Sequence, residues 1–535
     1  MNSLTRLLLY MKNLYITYKK INILNIKKYW CMHRMKQFTQ LKEAILDRIG
    51  IGQPGLMSPA AYDIAWLARV PGENDFTIPA YPEALTWLRD NQHPDGSWGS
   101  DIEYVHDRII STLAAIIALA QWDDINNDKL YKTQSKRIIE HGLEYIRNNA
   151  GRLEFELPTG GFELILPALL QDAEKIGINV HCQTFLPYYR MREEKLAKIP
   201  SHLLYSRKLS ITHSLEFMGD SLDLERAEIF QDSNGGVGFS PSSTAYLLTK
   251  LPRNNAARSY IASLVAAYGN KVPEVFPFDT FELSWSLWNL FLAGADSSDP
   301  KIEHHIRDLK SVWDKGEGVG STTVSSVVES DTSSMVFSVL KMAGADPDPI
   351  PLRQFEKEDY FICYHYERDP CTSANVHVLE ALKGVDEKAT EKVRRWLYKS
   401  QVDCSYWTDK WHASPYYPTA HAVIALIGVD HDLARSASQW IINTQRIDGG
   451  WGYYNRSTAE ETAYCLQALT IYSREVMPID RNILERGRRC LLAFDNKRPD
   501  LWIARSLYTP ITVVESAIYS ALIMTTDYLY PAFGR

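Results

Sequence analysis

The chain has 535 residues, 45% of them hydrophobic and 23% charged. That is too long for one ordinary core and too apolar for a disordered or fibrous protein, so two or three domains are expected. A formal charge of −7 argues against a nucleic-acid-binding surface, and no run of about 18 apolar residues is present to span a membrane.

Taken in chain order, residues 1–36 stand apart. They hold eight Lys or Arg and no Asp or Glu. The segment reads either as a targeting peptide or as an extension upstream of a true start at Met32 or Met35. Beyond it, Phe38, Leu41, Ile45 and Ile49 fall on one helical face. Ile109–Trp122, Thr280–Leu292, Ser334–Met342, His377–Leu382 and Glu461–Ile471 predict buried helices. Val/Ile/Thr alternation is scarce, so the fold class is all-α.

A turn motif recurs between these helices. It stands as Q-H-P-D-G-S-W-G (Gln92–Gly99), Q-D-S-N-G-G-V-G-F (Gln231–Phe239) and Q-R-I-D-G-G-W-G-Y (Gln445–Tyr453), with a degenerate copy at Gln401–Trp407. Asp-Gly or Asn-Gly makes the turn, Gln reaches backbone near the next helix, and Trp covers the joint. Such spacing predicts stacked helix pairs. Two groups of copies, at 92–239 and 401–451, predict two α/α barrels. One covers 71–270; the other covers 271–535 together with the helix within 37–70. Aromatic residues are abundant, with 14 Trp and 30 Tyr, and point to a cavity walled by π-faces. The Cys count of seven is odd and no C-x-x-C occurs, which fits reduced thiols and a cytoplasmic location.

The stretch Val327–Met335 reads V-V-E-S-D-T-S-S-M. It sets acids and hydroxyls directly before an apolar helical run. One reading is a helix N-cap, with Ser or Asp capping the helix that contains Met335 and Leu340. The other is a carboxylic acid beside an apolar pocket, kept protonated by burial and able to protonate a carbon–carbon double bond.

From about Ser58 to Tyr508 the chain resembles the class II diterpene cyclases. The matching stretches include S-P-A-A-Y-D-I-A-W (Ser58–Trp66), H-D-R-I-I-S-T-L-A (His106–Ala114), G-F-E-L-I-L-P (Gly161–Pro167) and K-L-A-K-I-P (Lys195–Pro200). H-S-L-E-F-M (His213–Met218), V-P-E-V-F-P-F-D (Val272–Asp279), A-N-V-H-V (Ala374–Val378) and L-W-I-A-R-S-L-Y (Leu501–Tyr508) follow in family order. The chain is especially similar to bacterial enzymes that make halimadienyl or kolavenyl diphosphate. The resemblance implies a double α/α barrel with the active site between its domains. It also implies a reaction in which geranylgeranyl diphosphate is protonated and cyclised with its diphosphate intact.

The family's D-x-D-D motif falls on Glu329, Ser330, Asp331 and Thr332. The resemblance makes Asp331 the proton donor, with Glu329 and Thr332 in place of flanking Asp residues. It makes Asn375 the partner that orients Asp331, although a helix-end cap explains Asn375 equally well. Aromatic groups that could face a carbocation are Trp285, Trp288, Trp407, Trp411, Tyr416 and Tyr417; each also reads as core. Lys195 and Arg505 match basic positions for the diphosphate, and both also read as surface charges. Glu154 and Glu156 resemble an acidic motif for a Mg²⁺ cofactor, or else a solvated face. His213 matches the His of a His–Asn pair that removes the last proton in copalyl diphosphate makers, and Glu274 stands where the Asn belongs. A broken pair agrees with hydride and methyl shifts before proton loss, hence a clerodane or halimane skeleton. The product then needs a downstream diphosphate-processing enzyme.

Asp123–Asp128 looks like the D-D-x-x-D of metal-ionising cyclases. Its partner motif fails at Thr462, so the stretch reads as a polar loop. Rival readings are a copalyl-type synthase, a protein prenyltransferase subunit with a zinc site, a helical-barrel glycosidase and a non-catalytic helical scaffold.

Overall fold

The computed structural model describes residues 38–122, 129–155, 157–180, 182–367, 369–494 and 498–531. The expectations for residues 1–36, for 123–128 and for Glu156 lie outside the described residues. The chain folds as two α/α barrels.

In the second barrel six helices pack side by side in chain order and close on themselves. They are Asp279–Leu292, Ser330–Met342, Thr372–Leu382, Tyr416–Leu426, Ala459–Glu475 and Ile511–Leu529. Most are buried around nearly their whole circumference, which is why their sequences read as apolar runs rather than stripes. Pro300–Trp313, Glu387–Ser400, His431–Asn443 and Arg481–Ala493 bury one face each and form an outer layer. The first barrel closes in the same way through Ala61–Ala68, Val105–Gln121, Phe162–Lys175, the 3₁₀ segment Ser210–Ser221 and Pro241–Lys250.

Residues 38–70 divide between the barrels. Ile45, Leu46 and Ile49 pack in the second core, whereas Tyr62, Ile64 and Trp66 pack in the first. The expectation that the whole stretch belongs to the second barrel is corrected here. Every residue of Ala61–Ala68 is buried, so this helix needs an inner position, and the first barrel supplies it.

The repeated turns explain the regularity. Gln92 Nε2 donates to Gly96 O at 2.8 Å and Ile138 O at 2.9 Å; Gln445 Nε2 does the same to Gly449 O and Ile483 O at 2.8 and 2.9 Å. The indoles of Trp98 and Trp451 each reach back 2.7 Å, to Leu88 O and Ile441 O. Gly96 and Gly449 share a φ of +93°. A Cβ there would lie 2.4 and 2.7 Å from the carbonyl oxygens of His141 and Arg486, so only glycine fits. The degenerate copy keeps the tryptophan, Trp407 Nε1 to Leu397 O at 2.9 Å, and turns through Asp403 and Cys404 at φ values of 49° and 51°.

Because inner and outer helices alternate, the inner helices of a barrel all begin at the same end. A hairpin, Trp502–Ile503 paired antiparallel with Leu507–Tyr508, lies between the barrels. Neighbouring residues on a strand point to opposite faces. Trp502 and Tyr508 accordingly join the second core, while Ile503 and Leu507 pack on Ile102 and Tyr104 of the first barrel.

Candidate active site

A cavity of about 480 Å³ lies where the helix starts of both barrels meet. Its wall takes Thr159, Gly160, His213 and Phe239 from the first barrel. Phe278, Phe281, Asp331, Tyr364, Trp411 and Trp502 come from the second. The volume falls in the range of small-molecule sites, roughly 300–1,000 Å³.

Glu329 caps the helix Ser330–Met342. Its carboxylate accepts from Asp331 N at 2.5 Å and Thr332 N at 2.8 Å. The segment does cap its helix, but Glu329 makes the cap rather than a Ser or Asp, and Thr332 contributes its backbone N–H. Burial, then the neighbouring Asp331 carboxylate, pushes Glu329 up to about 8; two carboxyls this close do not readily ionise together. Asp331, one position into the helix, is buried and lines the cavity. Its Oδ1 is hydrogen-bonded to His377 Nδ1, which leaves Oδ2 for a molecule in the cavity. His377 Nε2 in turn lies 2.8 Å from His421 Nδ1.

Asn375 does not partner Asp331. Its Nδ2 donates to Phe361 O and Cys371 O, both at 2.8 Å, and its Oδ1 accepts from Phe361 N at 2.9 Å. Those bonds fix the segment before Cys363, whose N–H donates to Glu367 Oε1 at 2.8 Å and whose thiol lies 3.8 Å from Glu329 Oε2. His377, two residues further on and on the opposite side of the helix, takes the role expected of Asn375.

Of the six aromatic groups expected to face a cation, only Trp411 lines the cavity. Trp285 stacks on Phe281 at 3.7 Å and donates to Tyr417 OH at 3.0 Å. Trp288 lies against His421, and Tyr416 against Trp440. Trp407 closes its turn. Inner helices that are buried all round place these rings behind the wall rather than in it. The exposed faces belong instead to Phe278, Phe281, Tyr364, Trp502 and Tyr508.

Arg505 is not a surface charge, nor is it open to a diphosphate. It is 1% exposed. Its Nε donates to Glu274 Oε1 at 2.6 Å and its Nη2 to Asp63 Oδ1 at 3.1 Å. Its Nη1 meets His213 O, Glu216, Ser240 and Ser242. All five guanidinium hydrogens are engaged. Burial would raise Glu274, but Arg505, His213 and Ser506 hold it at about 2. His213 Nε2 lies 3.6 Å from that carboxylate, with Nδ1 at 2.8 Å from Gly238 O. Burial and then Arg505 lower His213. Lys195 reaches the cavity wall and pairs with Glu163 at 2.8 Å.

The second barrel matches a family model described as squalene-hopene cyclase C-terminal domain, over residues 366–473. A type B diterpene cyclase of Mycobacterium tuberculosis is 36% identical over 488 residues, covering 87% of this chain and 95% of that protein. The chain belongs to the class II diterpene cyclases. This cyclase is also 31% identical to a (−)-kolavenyl diphosphate synthase of Tripterygium wilfordii over 70% of its own length and 46% of the longer plant protein. Among solved structures, the ent-copalyl diphosphate synthase of Streptomyces platensis superposes with a TM-score of 0.76 at 27% identity, covering 92% of the cyclase and 99% of that chain.

The family corrects the Mg²⁺ expectation. Class II cyclases start by protonation rather than by metal-assisted ionisation. Among the described residues no cluster of three or more His, Cys, Asp or Glu is placed to hold a metal, and Glu154 is exposed at the surface. The cyclase has, among its described residues, no helix long and apolar enough to cross a membrane. Sequence reasoning missed His377 and His421. Both sit inside otherwise apolar helical runs, V-H-V and A-H-A, and a titratable group in such a run was the available signal.

Proposed function

We propose that this cyclase protonates the terminal double bond of geranylgeranyl diphosphate through Asp331 and releases a rearranged bicyclic diphosphate of the kolavenyl or halimadienyl type. One observation carries the reading. Asp331 has one carboxyl oxygen held by His377 and the other available to an aromatic-walled cavity between two barrels. A proton moves from Oδ2 to the alkene, two carbon–carbon bonds close the rings, and the positive charge lies against ring faces that attract it. Loss of one proton ends the reaction, so the whole is an isomerisation and the diphosphate is retained. Lys195, at the cavity wall and paired with Glu163, is the cation proposed to hold that end.

The rearranged skeleton is favoured by the His213–Glu274 pair and by the kolavenyl diphosphate synthases among the relatives. An ionised carboxylate, held by Arg505, faces His213 where copalyl-type relatives have an amide, so a water is not oriented as an amide would orient it. Hydride and methyl shifts then precede proton loss. The product requires a second enzyme that ionises or hydrolyses its diphosphate.

The test is incubation with geranylgeranyl diphosphate, enzymatic dephosphorylation, and identification of the alcohol by mass spectrometry and NMR. Kolavenol or a halimadienol is expected. Copalol points to an unrearranged product, and recovery of only geranylgeraniol rejects the substrate.

A further inference from the structure

Behind the partner of Asp331 stands a second histidine that the reaction above does not use. His421 comes from Tyr416–Leu426 and is buried with its Nδ1 2.8 Å from His377 Nε2. Its ring stacks on Trp288 at 4.8 Å and 21° and lies 4.4 Å from Tyr417 and 5.7 Å from Tyr464. The titratable groups that face it are His377, His412, Tyr417 and Tyr464. The nearby carboxylate Glu460 is engaged by His412, Trp502 and Tyr464. Burial first, then His377 and His412, lower His421 well below the usual histidine range. It is therefore neutral and carries one ring hydrogen.

Each contact in the chain Asp331–His377–His421 holds one hydrogen. If neutral His377 carried its hydrogen on Nε2, the Nδ1 lone pair would accept the proton of Asp331 and turn it away from the cavity. If Nδ1 carries the hydrogen, Oδ1 of Asp331 is the acceptor and the acidic hydrogen stays on Oδ2, where an alkene can meet it. A donor opposite Nε2 forbids the first arrangement and enforces the second.

Resting on the reading of Asp331 as the acid, we propose that His421 is a positioning residue: its Nδ1–H donates to His377 Nε2, fixes hydrogen on His377 Nδ1, and keeps the acidic hydrogen of Asp331 on Oδ2. The same bond leaves the carboxylate formed after transfer already hydrogen-bonded. A buried carboxylate fixes the tautomer of the catalytic histidine of serine proteases by the same logic.

His421→Phe keeps a ring against Trp288 and removes the hydrogen bond. Turnover with geranylgeranyl diphosphate should fall about 100-fold in kcat with KM unchanged, the low end of what a displaced general acid costs, and the pH profile of kcat should move. His421→Asn, whose amide can donate, should recover part of the loss. An unchanged kcat overturns the proposal. So does a loss that follows the amount of folded protein with the pH profile unmoved. A second measurement needs no variant at position 421. Nitrogen-15 NMR of ring-labelled histidines in the wild-type chain, with His377 identified by its absence in His377→Gln, should show hydrogen on Nδ1; hydrogen on Nε2 alone overturns it. Full turnover by Asp331→Asn would reject the acid assignment itself and would leave the tautomer measurement standing.

Discussion

Asp63, Glu216 and Glu274 surround Arg505, whereas Glu329 and Asp331 have a helix N-terminus, two histidines and, among the described residues, no hydrogen-bonded Lys or Arg. Both groups are buried and both border the same cavity. In the first, a permanent cation keeps Glu274 ionised at about 2, so the cluster joins the barrels and has no proton to give. In the second, Glu329 is pushed up to about 8, so that carboxyl retains its proton at neutral pH. On the proposed reading, what separates a structural cluster from a reactive one is countercharge, not burial.

The contrast can be broken most severely at Asp331. Asp331→Asn should lower turnover of geranylgeranyl diphosphate by about 10³-fold, within the range for loss of a general acid, and leave the thermal melting point nearly unchanged. Arg505→Met should do the reverse, lowering stability by about 3–5 kcal/mol because buried carboxylates lose their partner; urea denaturation measures it. pH sharpens the comparison. Glu329 has a folded pKa near 8 against an ordinary 4.5, so folding takes up a proton between those values. Stability from this group is complete below about 4.5 and lost as pH rises toward 8. Turnover should decline above about pH 8, and Glu329→Gln should displace that limb in a pH–rate profile. The smallest effect concerns metal: excess EDTA should leave turnover unchanged, as steady-state assays with and without chelator would show.

The turns and the barrels were legible because their contacts are local. Gln92 bonds Gly96 four residues away, and Trp98 bonds Leu88 ten residues away, so the motif carries its own geometry. The acid cluster around Asp331 was visible as acids before an apolar helical run, but that pattern fits an N-cap equally well, and only the family resemblance singles out Asp331. Its partners were not visible, because His377 and His421 come from separate helices, 46 and 90 residues further on. Helical spacing says nothing about which helices close a ring. Arg505 misled for the opposite reason. A lone arginine reads as a surface charge, and the acids that enclose it are scattered at positions 63, 216 and 274. The aromatic wall was misjudged for want of depth: Trp285 and Phe281 are stacked, and only one of the two meets the cavity.

The hairpin that carries Arg505 has a consequence for water. It offers one face to each barrel and is tied to the wall through Gly160 N to Ala504 O at 2.6 Å and Ile503 N to Trp411 O at 2.9 Å. A carbocation lives only while no hydroxyl donor reaches it. Slackening this seam would therefore be read in the chemistry of the product, as diphosphates bearing a new alcohol on the ring system, before it was read in the speed of the enzyme.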